Sequence, residues 1–233
     1  MKKVRSLSVV FPAYNDEHTI SILVQKAVKL LPQIAGSHEI IIVDDGSTDK
    51  TAQVLKQLQK KTKKVKVITH LRNQGYGAAL ISGFKKAKKE FIFYTDGDGQ
   101  YDISELPKLV NAMDTTIDIV SGFKIKRSDP WFRKTIGGLY NQFTKFLLNL
   151  TIKDVDCDFR LFRRSLIDGL KPLAKSGAFD VSFIKALSKK GARFREIGVH
   201  HYKRRYGSSQ FFNAKRIGRS LWDLVLIWFT YAK

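Results

Sequence analysis

Cysteine is almost missing from this chain: Cys157 is the single one among 233 residues. An intrachain disulfide is therefore excluded, as is any zinc site built from several thiolates. A lone thiol fits a reducing compartment. Acidic residues are few beside basic ones, 21 Asp and Glu against 42 Lys and Arg, which leaves a formal charge of +21. Such a surface draws polyanions, whether nucleic acid, anionic lipid or a phosphorylated substrate, and charge alone does not choose among them. Long apolar runs are lacking too. The longest, residues 221–232, is interrupted by Asp223 and falls short of the ~20 residues that cross a bilayer. No secretory apolar region follows the basic start MKKVRS. These features predict a chain that does not span a membrane, though it can lie on one.

With hydrophobic residues at 43% and charged residues at 27%, a sizeable core is available. Short apolar runs alternate with helical patterns through the first half. Residues 6–11 (SLSVVF), 39–43 (EIIIV), 65–69 (VKVIT), 91–95 (FIFYT) and 117–120 (IDIV) predict strands. Ile20, Leu23, Val24, Ala27, Val28 and Leu31 repeat at helical spacing, with Pro32 expected to close that helix. Asp49 and Ser104 are expected to cap the second and fourth helices, and a third follows Gly77. In the second half, residues 131–150 predict an amphipathic helix, 194–201 a strand and 211–231 one or two terminal helices. The pattern predicts an α/β fold with a mostly parallel central sheet and helices on both faces. In such sheets ligands bind at the carboxyl ends of the strands.

Three acidic or polar clusters sit just after predicted strands: Pro12-Ala13-Tyr14-Asn15-Asp16-Glu17, Val43-Asp44-Asp45-Gly46-Ser47-Thr48-Asp49 and Asp96-Gly97-Asp98-Gly99-Gln100. A parallel sheet gathers them at one edge. Asp96 and Asp98 repel each other unless a cation neutralises them. A hard divalent ion held by one or two carboxylates plus substrate phosphates does so economically. Gly75-Tyr76-Gly77 begins like a dinucleotide fingerprint, but Leu80 stands where a third small residue belongs. Those glycines read better as a tight turn.

Taken in order, these segments resemble the family 2 glycosyltransferases with a GT-A fold. Residues 154–164 (DVDCDFRLFRR) and 202–209 (YKRRYGSS) resemble segments of the dolichol-phosphate mannosyltransferase-like subgroup, and the likeness runs from residue 6 to about 210. The resemblance implies a glycosyltransferase domain over residues 1–210, followed by an amphipathic tail over 211–233. It implies transfer of a hexose, with inversion, from a nucleotide sugar of the GDP-mannose or UDP-glucose type to a polyprenyl or dolichyl phosphate. Pro12, Tyr14, Glu17, Val43, Asp45 and Gly75 would then surround the nucleotide, and Asp96 would meet the nucleotide sugar. Asp98 and Gln100, beside Asp96, would hold Mg2+ or Mn2+ on the diphosphate. Lys124, Arg127, Arg133, Arg160 and Arg204 are implied for the acceptor phosphate, and for Arg127 a solvated basic face is an equal reading.

Asp180 falls where related enzymes place an acid able to act as a base, which keeps a hydroxyl acceptor on a glycan open. Its other reading is a helix cap. Asp158 departs from the subgroup's usual glycine. The tail sets Phe211, Trp222, Trp228 and Phe229 beside Lys215, Arg216 and Arg219, the composition of an interfacial helix. The expected location is therefore peripheral, on the cytoplasmic face of an anionic membrane, with room for a membrane-spanning partner. Nucleic-acid binding is the less favoured reading of the +21 charge, since no recognition motif is present.

Overall fold

The computed structural model describes residues 2–127, 131–170, 173–206 and 214–231. The first half builds a parallel frame: β1 (Val4–Ala13), α1 (Ile20–Ile34), β2 (Ala35–Asp44), α2 (Thr51–Lys61), β3 (Val65–Thr69), α3 (Tyr76–Lys86) and β4 (Phe91–Thr95). A short 3-10 turn leads into α4 (Leu106–Ala112). The second half adds β5 (Ile119–Arg127), α5 (Trp131–Leu148), β6 (Phe159–Arg163), α6 (Phe179–Lys189), β7 (Phe194–His201) and α7 (Ala214–Tyr231). The seven strands form one sheet in the order β3-β2-β1-β4-β6-β5-β7. Every pairing is parallel except those of β6, which runs against both β4 and β5.

Side-chain alternation along the strands gives the sheet two apolar faces. Leu7, Val9 and Phe11 of β1 pack with α1, α2 and α4, where Leu23, Val24, Leu55 and Leu106 are buried. Val10, Ile92 and Tyr94 point the other way, into a layer made by α3, α6 and α7. Phe84, Phe162, Phe179 and Phe183 form an aromatic knot there, with ring centroids 5.2–6.0 Å from Phe84. Gly83 is required by this packing. A Cβ at that position would lie 2.4 Å from Val10 Cγ1.

Local details differ from the sequence expectations in four places. Pro32 lies inside α1, which continues to Ile34. The proline costs the helix one i→i−4 bond and stands two residues before its end. Asp102, not Ser104, caps the turn before α4 and accepts Ser104 N at 3.1 Å. Asp180 sits in the first turn of α6, whose N-cap is Ala178. The segment 159–163 was legible only as a motif, yet it forms a central strand. Asp49 stands one residue before Lys50, the N-cap of α2, and its Oδ1 accepts Thr51 N at 2.9 Å.

Candidate active site

The loops after β1, β2, β3 and β4 meet at the carboxyl edge of the sheet. Antiparallel β6 brings the residues that precede it, 154–158, to the same edge. The first two loops interlock through side-chain caps. Asn15, at φ 57°, accepts Thr48 N at 2.8 Å, and Ser47 Oγ accepts Asn15 N at 3.1 Å. Glu17 Oε2 accepts Lys50 N at 2.8 Å, and Thr51 Oγ1 accepts Asp16 N at 2.9 Å. Several residues that the resemblance assigns to the nucleotide are therefore engaged in tying these two loops together. Tyr14 is half-buried, Pro12 is buried, and Val43 is wholly buried against α3, so only its backbone faces the edge.

Asp45 is committed in the same way. It is 3% exposed, pairs with His70 Nδ1 at 2.6 Å, and accepts Gln74 N and Gly75 N at 2.9 Å each. His70 in turn meets Ser82 Oγ at 2.9 Å. This chain fixes the loop that ends at Gly75, whose φ of 102° favours glycine. Asp45 thus shapes the loop of residues 70–75 from beneath.

Asp96 and Asp98 follow β4 across Gly97, where a Cβ would stand 2.6 Å from Pro12 O and 3.2 Å from Asp16 Oδ2. Glycine therefore lets the β4 loop press on the β1 loop and sets three carboxyls close together. Burial, reinforced by Asp98, pushes Asp96 up to about 8. Burial likewise lifts Asp16 to about 6, with Asp98 adding to the rise. Asp96 Oδ1 is buried without a hydrogen-bond partner. An orphaned carboxylate oxygen beside a second acid is a good seat for a hard cation. Among the described residues, no three His, Cys, Asp or Glu side chains converge to enclose a metal by themselves. The donor set thus fits a divalent ion that takes the rest of its oxygens from a ligand such as a diphosphate. Gln100 is less available than expected, since its Nε2 donates to Tyr202 O at 3.1 Å.

Opposite these acids stands a half-buried acid weighed in the sequence only as a departure. Asp158 precedes β6, and the β4–β6 register pairs Thr95 with Phe159, so Asp158 faces Asp96 across the ladder. Tyr76 OH donates to Asp158 Oδ1 at 2.8 Å. Burial and then the neighbouring Asp180 and Asp96 raise the Asp158 carboxyl well above its ordinary range.

The basic residues assigned to the acceptor phosphate are not all brought together. Arg160 has no exposed surface. Its guanidinium donates to Ser121 Oγ at 3.0 Å, Tyr94 OH at 2.5 Å, Val155 O at 2.7 Å and the Asp180 carboxylate. It is a buried cation with all three of its guanidinium nitrogens engaged. Asp180, 4% exposed, accepts from Arg160 and from Tyr94 OH at 2.6 Å, so it is the core counter-ion of Arg160. Lys124 lies at the edge of the site, with Nζ on Asp156 O at 2.6 Å and near Asp154 at 3.6 Å. Burial opposes its charge, but Asp154 and the neighbouring acids outweigh that and raise its pKa. Arg204 reaches the site from the loop after β7 and pairs with Asp98. Arg127 ends β5 and Arg133 lies in the first turn of α5, and their side chains fall outside the described residues. Cys157 is buried, and burial pushes its thiol up to about 11, which suits a packing role.

Comparison with known proteins agrees with this geometry. Residues 8–170 match the family model for glycosyl transferase family 2. The undecaprenyl-phosphate 4-deoxy-4-formamido-L-arabinose transferase of Proteus mirabilis is 31% identical over 96% of this chain and 68% of its own length. The protein of the same name from Edwardsiella ictaluri is 30% identical over the same shares. Among solved structures, the glucosyl-3-phosphoglycerate synthase of Mycobacterium tuberculosis, in complex with Mn2+, UDP and glucosyl-3-phosphoglycerate, superposes with a TM-score of 0.75. It is 18% identical, over 97% of this chain and 80% of that one, a likeness of fold. The sheet and its helical layers are the GT-A fold, and the chain is a glycosyltransferase belonging to glycosyl transferase family 2.

Proposed function

We propose that this enzyme moves a sugar from a nucleoside diphosphate donor to the phosphate of a polyprenyl lipid at a membrane surface. The observation that carries the reading is the similarity, over 96% of the chain, to transferases named for undecaprenyl phosphate. The Asp96/Asp98 edge supports the donor half. Its loops form a floor of buried carboxylates and backbone N–H groups on which a nucleotide can rest. Mg2+ or Mn2+ on Asp98, with Asp96 and Gln100 beside it, supplies charge neutralisation for the departing nucleoside diphosphate. Asp96, Tyr76 and Asp158 flank the transferred sugar, and a donor of the GDP-mannose or UDP-glucose type suits this edge. Lys124 and Arg204 are the described cations assigned to an incoming phosphate, and the sequence adds Arg127 and Arg133, whose side chains lie outside the described residues.

A lipid phosphate is ionised at neutral pH and attacks without a general base. That suits this site, because the ion pair with Arg160 takes Asp180 out of reach as a base. The exposed faces of α5 and α7 support the membrane reading. Leu139, Phe143 and Phe146 on α5 and Leu221, Trp222 and Phe229 on α7 are exposed, with Phe146 at 88%. Arg219 and Lys145 lie on the same two helices. Among the described residues no helix is long and apolar enough to cross a membrane. Aromatic residues beside cations suit a helix lying in the interface.

The test is nucleoside diphosphate release from GDP-, UDP- and dTDP-sugars with Mg2+ or Mn2+, with and without undecaprenyl phosphate. One donor should turn over only with the lipid, and Asp98→Asn should lose at least about 100-fold. Turnover indifferent to the lipid phosphate would reject the acceptor. A glycan hydroxyl acceptor would then have to be sought.

A further inference from the structure

The two side chains assigned to the cation beyond Asp96 also hold one loop. Arg204 Nη2 donates to Asp98 Oδ2. Gln100 Nε2 donates to Tyr202 O at 3.1 Å, and Tyr202 N returns a bond to Gln100 O at 2.8 Å. A bridge between Tyr101 and His201 anchors the base of this strap. Asp98 is 7% exposed, and its Oδ1 already accepts Gln100 N at 2.9 Å. Oδ2 is the oxygen left for a cation, and it carries a guanidinium.

We propose that Arg204 is a built-in counter-cation of Asp98 which a divalent ion must displace, and that its release frees the 202–206 loop to carry the guanidinium to a substrate phosphate. The proposal rests on Asp98 being the cation seat. A guanidinium and a divalent ion repel at contact distance, so the two compete for one carboxylate oxygen where little solvent screens them. Any grip Arg204 exerts on Asp98 therefore weakens metal binding, and by reciprocity metal binding weakens that grip. Gln100 joins the exchange, because turning its amide toward the ion breaks the bond to Tyr202 O. The loop also bears Lys203 and Arg205. Both line a cleft of about 350 Å³ between the loop, the start of α1 and the Asp98–Gly99 turn, so they move with Arg204. The exchange imposes an order: cation and donor load first, and only then does Arg204 become available to the second phosphate.

The experiment measures Mn2+ binding to the full chain by the electron paramagnetic resonance of the free ion, without nucleotide and with UDP or GDP. Arg204→Gln should bind Mn2+ alone about 5- to 150-fold more tightly than the parent, the range of a typical coupling between sites. Arg204→Lys, which keeps the charge, should fall between them. In hydrogen exchange, the Tyr202 amide of the parent should lose protection with Mn2+ and nucleotide but not with nucleotide alone. Equal or weaker Mn2+ binding by Arg204→Gln, with a parent-like melting temperature, overturns the exchange. So does a Tyr202 amide that stays protected at saturating Mn2+. If Asp98→Asn binds Mn2+ as tightly as the parent, the cation seat itself is misassigned and the proposal falls with it. If Asp98→Asn loses Mn2+ while Arg204→Gln matches the parent, the exchange alone fails.

Discussion

Replacing Arg160 with methionine tests whether this residue belongs to the core or to the acceptor site. The guanidinium has no exposed surface, and it donates to Asp180, Tyr94, Ser121 and Val155 O. Removing it strands the Asp180 carboxylate in the layer between β4, β6 and α6. Breaking one side of a buried pair costs about 3–5 kcal/mol. For a chain of this length each kcal/mol shifts the melting temperature by about 2–4 °C, so a fall of roughly 6–20 °C is expected. Arg160→Met/Asp180→Leu removes both charges and should recover part of that loss, leaving mainly the unsatisfied Tyr94 hydroxyl at about 1–3 kcal/mol. Calorimetry of the parent, both single variants and the double variant closes the cycle. The Michaelis constant for the lipid phosphate, measured well below the melting transition, should stay near the parent value for Arg160→Met. A variant that melts within about 2 °C of the parent but binds lipid phosphate poorly would refute the core assignment and return Arg160 to the acceptor.

Three further outcomes follow from the same geometry. Asp16 is lifted to about 6 in the fold by burial, against 3.8 for the free side chain. The native state then holds an extra proton between those values, so this group's contribution to stability falls as pH rises from about 4 to 6. Asp16→Asn should match the parent near pH 4 and melt higher at pH 7, by up to about 1–2 kcal/mol after discounting for partial exposure. Gly97→Ala drives a Cβ into Pro12 O at 2.6 Å. The acid pair should be displaced, with Mn2+ affinity and turnover falling together, turnover by about 100-fold for a shift near 1 Å. Trp222→Ser/Phe229→Ser removes two side chains more than 60% exposed on α7. Co-sedimentation with anionic vesicles should drop at least about tenfold while the melting temperature holds.

The gathering of the polar loops at one edge of the sheet was legible because local rules govern it. Each apolar strand ends in a polar cluster, and a parallel sheet must gather those clusters at one edge. What sequence could not show is which carboxylates face out. Asp45 and Asp98 look alike as acids after strands, yet Asp45 is consumed by His70 and the amides of residues 74 and 75, while Asp98 meets a guanidinium from 106 residues away. Arg160 misled for the same reason: arginine in a basic chain suggests a phosphate, and only the packing of β6 against α6 reveals Asp180 behind it. Strand β6 was missed as a strand because its signature FRLFR alternates charge with apolar bulk. That alternation suits an edge, but the fold buries both faces by spending Arg160 on an internal pair. Pro32 reads as a stop because proline removes an i→i−4 bond, yet α1 carries it two residues before its end.

The reversed strand also fixes an order of assembly. Strands β1 to β4 pair among themselves and are complete once residue 95 has been made. Strand β5 has no such neighbour. Its partners in the sheet are β6 and β7, and both come later in the chain. At roughly 5–20 residues per second, the wait from the end of β5 to the end of β6 is about 2–7 s. During that time the nascent protein carries the four paired strands β1 to β4 and a fifth strand with both flanks open. Translation pauses or chaperone contacts that fall between residues 127 and 163 thus act on the second half of the sheet alone.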